Sequence, residues 1–228
     1  MSPAALRAMG AVAAVQALLR LGPLIIQFLG GRGLPTPGTV NQPTVALGII
    51  SRSPEVEAVA ALIFATGVAQ VFIVLALTDL LTPVESASTT QPILQLSVPF
   101  GLIASSFLMI DGALGITALP QLAHLDSHQS SVDGAYLAIL GIRNGIDRVI
   151  PLTLGIWALI TSTVAWRHEQ LSRPLTITGL LLGITGIAGA ALPAAALASL
   201  VIAILWTARF AGELFRDAAQ AHSTPRAS

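Results

Sequence analysis

Runs of apolar residues separated by short polar stretches extend along nearly the whole chain. A helix needs about 20 mostly apolar residues to cross a bilayer. Six windows meet that requirement: residues 8–30, 56–80, 98–119, 146–166, 174–192 and 194–215. The pattern therefore predicts an all-α integral membrane bundle of about six transmembrane helices. It forms a single domain over residues 1–216, followed by a polar C-terminal tail at 217–228.

Prolines and helix-capping residues mark several window edges. Ser53 and Pro54 precede the second window, and a serine cap with proline in the first turn favours a helix start there. Pro193 separates the last two windows and leaves almost no loop, which predicts a tight antiparallel hairpin. Three further prolines are predicted to lie near the starts of windows three, four and five: Pro99, Pro151 and Pro174.

The first window has two interpretations. Arg7 precedes an apolar stretch, as in a secretory signal, and Val15-Gln16-Ala17 fits a cleavage site. The apolar run resumes after Arg20, however, and reaches the length of a full span. We therefore predict an uncleaved first helix, with cleavage as the alternative.

The composition places the chain in lipid and excludes several kinds of site. Only 10% of the 228 residues are charged and the mean hydropathy is +0.81, whereas soluble domains carry about 25% charged residues. The formal net charge is +0, so no broad basic surface is available for nucleic acid. The chain has no cysteine, which excludes disulfides and thiolate metal sites. The predicted partner is the lipid bilayer, and no cofactor is predicted.

The connections between windows predict an orientation. The long connections, 31–53 and 120–145, should lie on one side of the membrane. The short connection 167–173 and the tail with Arg216 and Arg226 should lie on the other side, which the positive-inside rule assigns to the cytoplasm. Trp166 beside Arg167 fits an aromatic and basic boundary. The prediction is a multi-pass protein of a bacterial plasma membrane with both termini cytoplasmic.

The fifth window is rich in glycines at helical spacing: Gly179, Gly183, Gly186 and Gly189. Small residues on one helix face let a neighbouring backbone approach closely in lipid. We therefore expect this helix to pack tightly at the centre of the bundle. The alternative is that the glycine face joins a membrane-protein partner or a second copy in a homo-oligomer.

The stretch 143–186 contains a glycine-bearing span, a short basic turn with proline beside arginine, and a Leu/Gly-rich span. The residues that carry this pattern are Gly155, Arg167, Arg173 and Pro174. The stretch resembles the fourth and fifth spans of an uncharacterised family of bacterial membrane proteins, defined as a domain of unknown function. The second window, ending ALTDLLTP, is similar to that family's long apolar helix. The resemblance implies a six- or seven-span bundle of unassigned activity.

Arg20 and Asp111 are ionisable residues within predicted spans, where a charge is costly and normally faces protein or water. Gln16, Arg20 and Gln27 recur at helical spacing in the first window and form one polar stripe. Gln70, with Thr66 one turn away, would extend the same polar interior from the second window. We predict that Arg20 and Asp111 pair. The pair is either structural or part of a transport or proton site.

The connection 120–145 contains His124, Asp126 and His128. Two histidines one helical turn apart, with a carboxylate, are candidate ligands for a divalent metal, although the glutamate base of an H-E-x-x-H site is missing. The alternative is an ordinary solvated loop. Arg143 and Asp147 have i,i+4 spacing and are interpreted as the solvated, amphipathic start of the fourth span.

The chain contains no glycine-rich phosphate loop and no nucleophile elbow. The first hypothesis is therefore a non-enzymatic membrane protein with structural, regulatory or partner-binding work. The alternative is a small-solute or proton transporter that uses Arg20 and Asp111. The third is an outer-face, metal-dependent membrane enzyme. A polar tunnel that reaches Arg20 and Asp111 would favour transport, a closed dry bundle would favour the structural hypothesis, and a histidine-lined outer pocket would favour an enzyme.

Overall fold

The computed structural model describes residues 2–29, 35, 38–82, 90–125 and 130–223. These residues form helices and short turns, with no strand among them. A π-helical turn, Leu114–Ala118, joins the fourth helix to the fifth. The α-helices are α1 (Pro3–Leu29), α2 (Pro43–Ile50), α3 (Pro54–Leu81), α4 (Thr90–Ala113), α5 (Leu119–His124), α6 (Ser130–His168), α7 (Arg173–Gly189) and α8 (Pro193–Ser223).

The six long helices form a closed ring in chain order. α1 packs on α3, α3 on α4, α4 on α6, α6 on α7, and α7 on α8, while α8 returns to contact α1. Neighbours in the ring run antiparallel, so the bundle has two distinct ends. The α2 end carries α2, α5 and the first residues of α6. The N-terminal end carries the starts of α1 and α7 and the end of α8.

The predicted all-α membrane bundle is confirmed. Within the described residues, five stretches are long and apolar enough to cross a membrane: Pro3–Ile26, Pro54–Leu81, Gln91–His124, Ser131–His168 and Pro193–Ala221. The sixth ring helix, α7, has 17 residues, which gives a length of about 26 Å against a hydrocarbon core of about 30 Å. Together these helices make a bundle of about six spans.

Two predicted helix starts are wrong. α6 is one helix of 39 residues that passes through Pro151, and α4 begins nine residues before Pro99. A proline inside a membrane helix is tolerated because neighbouring helices and hydroxyl side chains compensate for the lost backbone bond. Most of the predicted connection 120–145 is therefore helical. The predicted polar tail is also partly helical, because α8 continues to Ser223.

The predicted edges at Pro54, Pro174 and Pro193 agree with the structure. α3 begins at Pro54, although the side chain of Ser53 at the cap position makes no capping hydrogen bond. Pro174 lies in the first turn of α7, where its missing N–H does no harm. Pro193 begins α8 directly after a short turn, so the predicted α7–α8 hairpin is confirmed.

The glycine face of α7 packs tightly, as predicted, but α7 is not central. A Cβ at Gly183 would lie 2.8 Å from Cβ of Leu159, and a Cβ at Gly189 would lie 2.9 Å from Cα of Ala196. The glycines therefore allow close contact with α6 on one side and α8 on the other. The opposite face of α7 is apolar and exposed, with Ile177, Leu181 and Ile184. That face suits lipid.

A second, smaller core covers part of the α2 end. Ala46 and Leu47 of α2 pack with Leu119 of α5 and Tyr136 of α6. The Tyr136 hydroxyl donates a hydrogen bond to the backbone oxygen of Val40 at 2.9 Å. The first half of α6 is thus held in place above α3 and α4, and Arg143 lies on this half.

Candidate functional site

A buried polar cluster joins α1 to α3 within the bundle. Gln16 Nε2 donates a hydrogen bond to Gln70 Oε1, and Arg20 Nη2 donates to the same oxygen at 2.8 Å. All three side chains are buried, and Arg20 is only 7% exposed. Gln16 and Arg20 of the predicted stripe therefore face protein, and Gln70 extends this polar interior as expected.

The cluster leaves three buried polar atoms unsatisfied. Because Arg20 has only donors, the Gln70 oxygen must face it, and Gln16 must then present its NH₂ group. Gln16 Oε1, Gln70 Nε2 and Arg20 Nε have no hydrogen-bond partner. Buried polar atoms in native proteins are nearly always paired. The cluster consequently has free hydrogen-bonding capacity.

Substitutions of the two glutamines should have unequal effects. Gln70→Leu removes the acceptor of both Gln16 and Arg20, whereas Gln16→Leu removes one donor and an already unpaired oxygen. We expect Gln70→Leu to cost about 2 kcal/mol of unfolding free energy and Gln16→Leu less than about 1 kcal/mol. Unfolding titrations in mixed detergent micelles measure both values. Equal losses would show that Gln70 is not the shared acceptor.

Asp111 pairs with Arg143 and not with Arg20, so the predicted Arg20–Asp111 pair is wrong. Arg143 Nε lies 2.5 Å from Asp111 Oδ1, and its Nη2 donates to Oδ2 at 3.2 Å. The side chain of Asp111 is 6% exposed and that of Arg143 is 28% exposed. Because α6 begins before Arg143, this arginine reaches the bundle interior instead of the predicted solvated surface.

Close packing of α3 against α4 holds Asp111 in place. A Cβ at Gly112 would lie 2.6 Å from the backbone nitrogen of Phe64, and a Cβ at Gly67 would lie 2.8 Å from the backbone oxygen of Ser105. Only glycine permits this approach. The π-helical turn begins two residues after Gly112, and such turns are frequent at functional sites.

A cleft of about 270 Å³ brings the charged residues together. Arg20 on α1, Thr66 on α3, Asp111 on α4 and Asp147 on α6 line it, together with Ser199 on α8. The remaining walls are apolar, and they are formed by Pro23, Ile63, Leu108, Ile150, Pro151, Leu154, Ala196 and Leu200. Five helices thus contribute to one space near the α2 end of the ring.

A second cavity, of about 230 Å³, lies on the other side of the ion pair. Arg143 and Tyr136 line this cavity, with Pro35, Val40 and residues of α3 and the π-helical turn. Arg143 therefore contributes to one cavity, while its partner Asp111 contributes to the cleft. The ion pair stands between the two spaces.

Aromatic side chains fill the bundle on the N-terminal side of the cleft. Trp157 and Trp206 meet edge to face with ring centroids 5.8 Å apart, and Phe210 stacks on Trp206 at 5.2 Å. Leu154, which lines the cleft, lies one turn before Trp157. Phe210 also lines a polar pocket of about 530 Å³ at the N-terminal end, with Arg209 and Glu213 among its other residues. We call the three rings the aromatic stack.

The remaining predicted residues contribute less. His124 lies exposed at the end of α5, while Asp126 and His128 fall outside the described residues, as does the side chain of Gln27. Within the described part of the chain no group of three possible ligands is placed to hold a metal ion. Asp147 is exposed, as predicted, and it also lines the cleft. Its i,i+4 relation to Arg143 was the available signal.

Comparisons with known proteins identify no relative of this chain. No family model matches it, no curated protein matches it, and no solved structure matches it.

Proposed function

We propose that the protein is a small-solute carrier whose cleft binds its solute between α1, α3, α4, α6 and α8. One observation carries the proposal: the cleft lined by Arg20, Asp111 and Asp147 and the polar pocket at the N-terminal end lie on opposite sides of the aromatic stack. In an alternating-access carrier built on this bundle, the charged cleft is the solute site, the polar pocket is the opposite entrance, and the aromatic stack is the barrier between them.

The charge distribution favours a carrier over a purely structural bundle. Charged side chains within membrane spans are costly and normally mark a substrate or ion pathway. A structural bundle would place its charges in closed, satisfied pairs. Here Arg20 lines a cleft and keeps an unpaired Nε, and both Trp157 Nε1 and Trp206 Nε1 are buried without a partner.

Cysteine labelling tests the carrier directly, because the native chain has no cysteine. Ser199→Cys places one thiol in the cleft. In a carrier, a membrane-impermeant maleimide should reach this thiol in right-side-out and in inverted vesicles, rapidly from the α2 side and more slowly from the other. Labelling from one side alone would contradict alternating access.

Two matched variants control for the state of the vesicles. Gln170→Cys lies in the exposed turn between α6 and α7 and should react from the N-terminal side only. Ser97→Cys is fully buried in α4, where the native hydroxyl bonds to the backbone oxygen of Leu94. It should remain unlabelled from the α2 side, so that reaction of Ser199→Cys there reports the cleft and not general leakiness.

The surface arginines support the proposed orientation. Among the described residues, the N-terminal end exposes Arg7, Arg167, Arg173, Arg209 and Arg216, whereas the α2 end exposes Arg52 and Arg148. Arg20 is buried and Arg143 is paired, so neither adds a free surface charge there. By the positive-inside rule we propose that the N-terminal end, and with it both termini, lies in the cytoplasm of a bacterial plasma membrane.

Reporter fusions test this orientation. Fusions after Ser88 and after Gln170 should report the cytoplasm, because both positions follow helices that end at the N-terminal end of the bundle. A fusion after Asn41, on the α2 side, should report the opposite compartment. An external signal after Gln170 would overturn the assignment.

A partner-binding role is the second candidate, and one exposed face supports it. Gly134, Gly141 and Gly145 on the first half of α6 have no neighbouring atoms within 4 Å of an added Cβ. Ala138 lies exposed on the same half of α6. This face has the composition of a helix-packing surface.

Membership of the uncharacterised bacterial membrane family stays a proposal too, supported by the residue pattern around Gly155 and Pro174.

A further inference from the structure

We infer that the solute is a small zwitterion, whose anionic group binds Arg20 and whose ammonium group binds Asp147. The inference rests on the proposed carrier function and names its substrate class. It starts from the two charged side chains of the cleft that form no ion pair among the described residues. These are a guanidinium on α1 and a carboxylate on α6.

Arg20 requires an anion. It is 7% exposed, it lines the cleft, and its Nε has no partner. Its bonded partner Gln70 is neutral, and none of the carboxylates in the described ranges forms an ion pair with Arg20. A buried cation without a counter-ion is strongly unfavourable in a membrane. An anionic group of a solute bound in the cleft would supply the missing charge.

Asp147 supplies the opposite charge. Asp111 also lines the cleft, but each of its carboxylate oxygens already accepts a hydrogen bond from Arg143. Asp147 is one helical turn beyond Arg143 and, within the described part of the chain, forms no ion pair. Its carboxylate is therefore the free acceptor of the cleft. An ammonium group is the matching partner.

The apolar walls of the cleft restrict the part of the solute that lies between its two charged groups. Ile63, Leu108, Leu154 and Leu200 surround the space between the charged groups, so the body of the solute is apolar or very small. A zwitterion has no net charge, and it satisfies both side chains without bringing a net charge into the membrane interior. A free amino acid and a zwitterionic lipid headgroup both have this chemistry.

The test compares each zwitterion with its two single-charge analogues on the full-length purified protein. Glycine, leucine and phenylalanine are titrated beside the acids that lack the amine and the amines that lack the carboxylate. At least one zwitterion should bind roughly 10- to 100-fold more tightly than both of its analogues, the range expected for losing one hydrogen bond to a charged group. Calorimetry and thermal stabilisation provide the readouts.

Two variants test the contributions of Asp147 and Arg20 to solute binding separately. Asp147→Asn, a change of similar size at an exposed position, should weaken binding of the zwitterion roughly 10- to 100-fold and leave binding of the acid analogue unchanged. Arg20→Gln should weaken both. Asp79→Asn and Arg7→Gln remove exposed charges near the N-terminal end and should change neither.

Further measurements identify the source of the zwitterion and the results that would overturn the inference. The protein is also compared in nanodiscs of phosphatidylethanolamine and of phosphatidylglycerol. If phosphatidylethanolamine stabilises the native protein more, and Asp147→Asn abolishes that difference, the zwitterion is a lipid headgroup. Equal binding of an acid and its zwitterion would overturn the inference but leave the carrier intact. If no zwitterion of either source binds, the inference also fails, and two-sided labelling of Ser199→Cys decides independently whether the protein is a carrier.

Discussion

Arg143→Leu should destabilise the protein far more than Asp111→Leu, although the two residues form one ion pair. Removing Arg143 leaves Asp111, with a side chain 6% exposed, as an uncompensated buried carboxylate. Breaking a buried pair in this way costs about 3 to 5 kcal/mol. Removing Asp111 leaves an arginine that is 28% exposed and has Asp147 one turn away, and that loss should stay near about 1 to 2 kcal/mol.

The double variant should be more stable than Arg143→Leu alone, because no unpaired charge then remains in the interior. A double-mutant cycle of unfolding free energies measures the coupling, which we expect to be about 2 kcal/mol or more. The pair Arg209–Glu213 is a matched control on α8, since its charged atoms lie 3.9 Å apart at i,i+4 spacing and the arginine is 47% exposed. Its coupling should be below about 0.5 kcal/mol. Equal coupling in both cycles would show that the buried pair contributes no more than a surface one.

The fold could be predicted from the sequence wherever apolar residues dominate a segment. The windows at 56–80 and 194–215 correspond closely to α3 and the membrane part of α8, because lipid requires about 20 apolar residues and permits only helix. The part of α6 before Arg143 was not predicted. Its polar residues look like a loop, and Pro151 looked like a helix start. Packing against α2 and α5 keeps this segment helical, and the hydrophobic periodicity of the segment does not indicate that contact.

The candidate site, like the fold, could be predicted only in part. Burial of Gln16, Arg20, Gln70 and Asp111 could be predicted, because a polar residue in an apolar span must face protein. Their pairing could not, because partner choice depends on how far each helix extends and how closely its neighbours approach. Arg143 reaches Asp111 only because α6 begins at Ser130, before the predicted span. The glycines at 67 and 112 bring α3 against α4, and the sequence alone does not assign them to that contact.

Gly186→Leu should prevent α6 and α7 from packing and reduce the unfolding free energy by at least about 3 kcal/mol, the upper range for overpacking a well-packed core. A Cβ at Gly186 would lie 2.6 Å from the backbone oxygen of Pro151 and 2.8 Å from Cα of Gly155. Both are backbone atoms, so no side-chain rotation relieves the overlap and the helices must separate. The yield of folded protein in detergent and its unfolding titration measure the loss.

The size of the substituent distinguishes backbone contact from ordinary crowding. Because the first added carbon already overlaps Pro151, Gly186→Ala should retain most of the defect of Gly186→Leu. Gly141→Leu on α6 is the matched control, since no atom lies within 4 Å of its added Cβ. Replacing an exposed helical glycine should even stabilise α6, by up to about 0.8 kcal/mol. If Gly186→Ala unfolds like the native chain while Gly186→Leu does not, the two backbones are further apart than the close contact at Pro151 requires. The α7 glycines would then serve only to leave room for side chains.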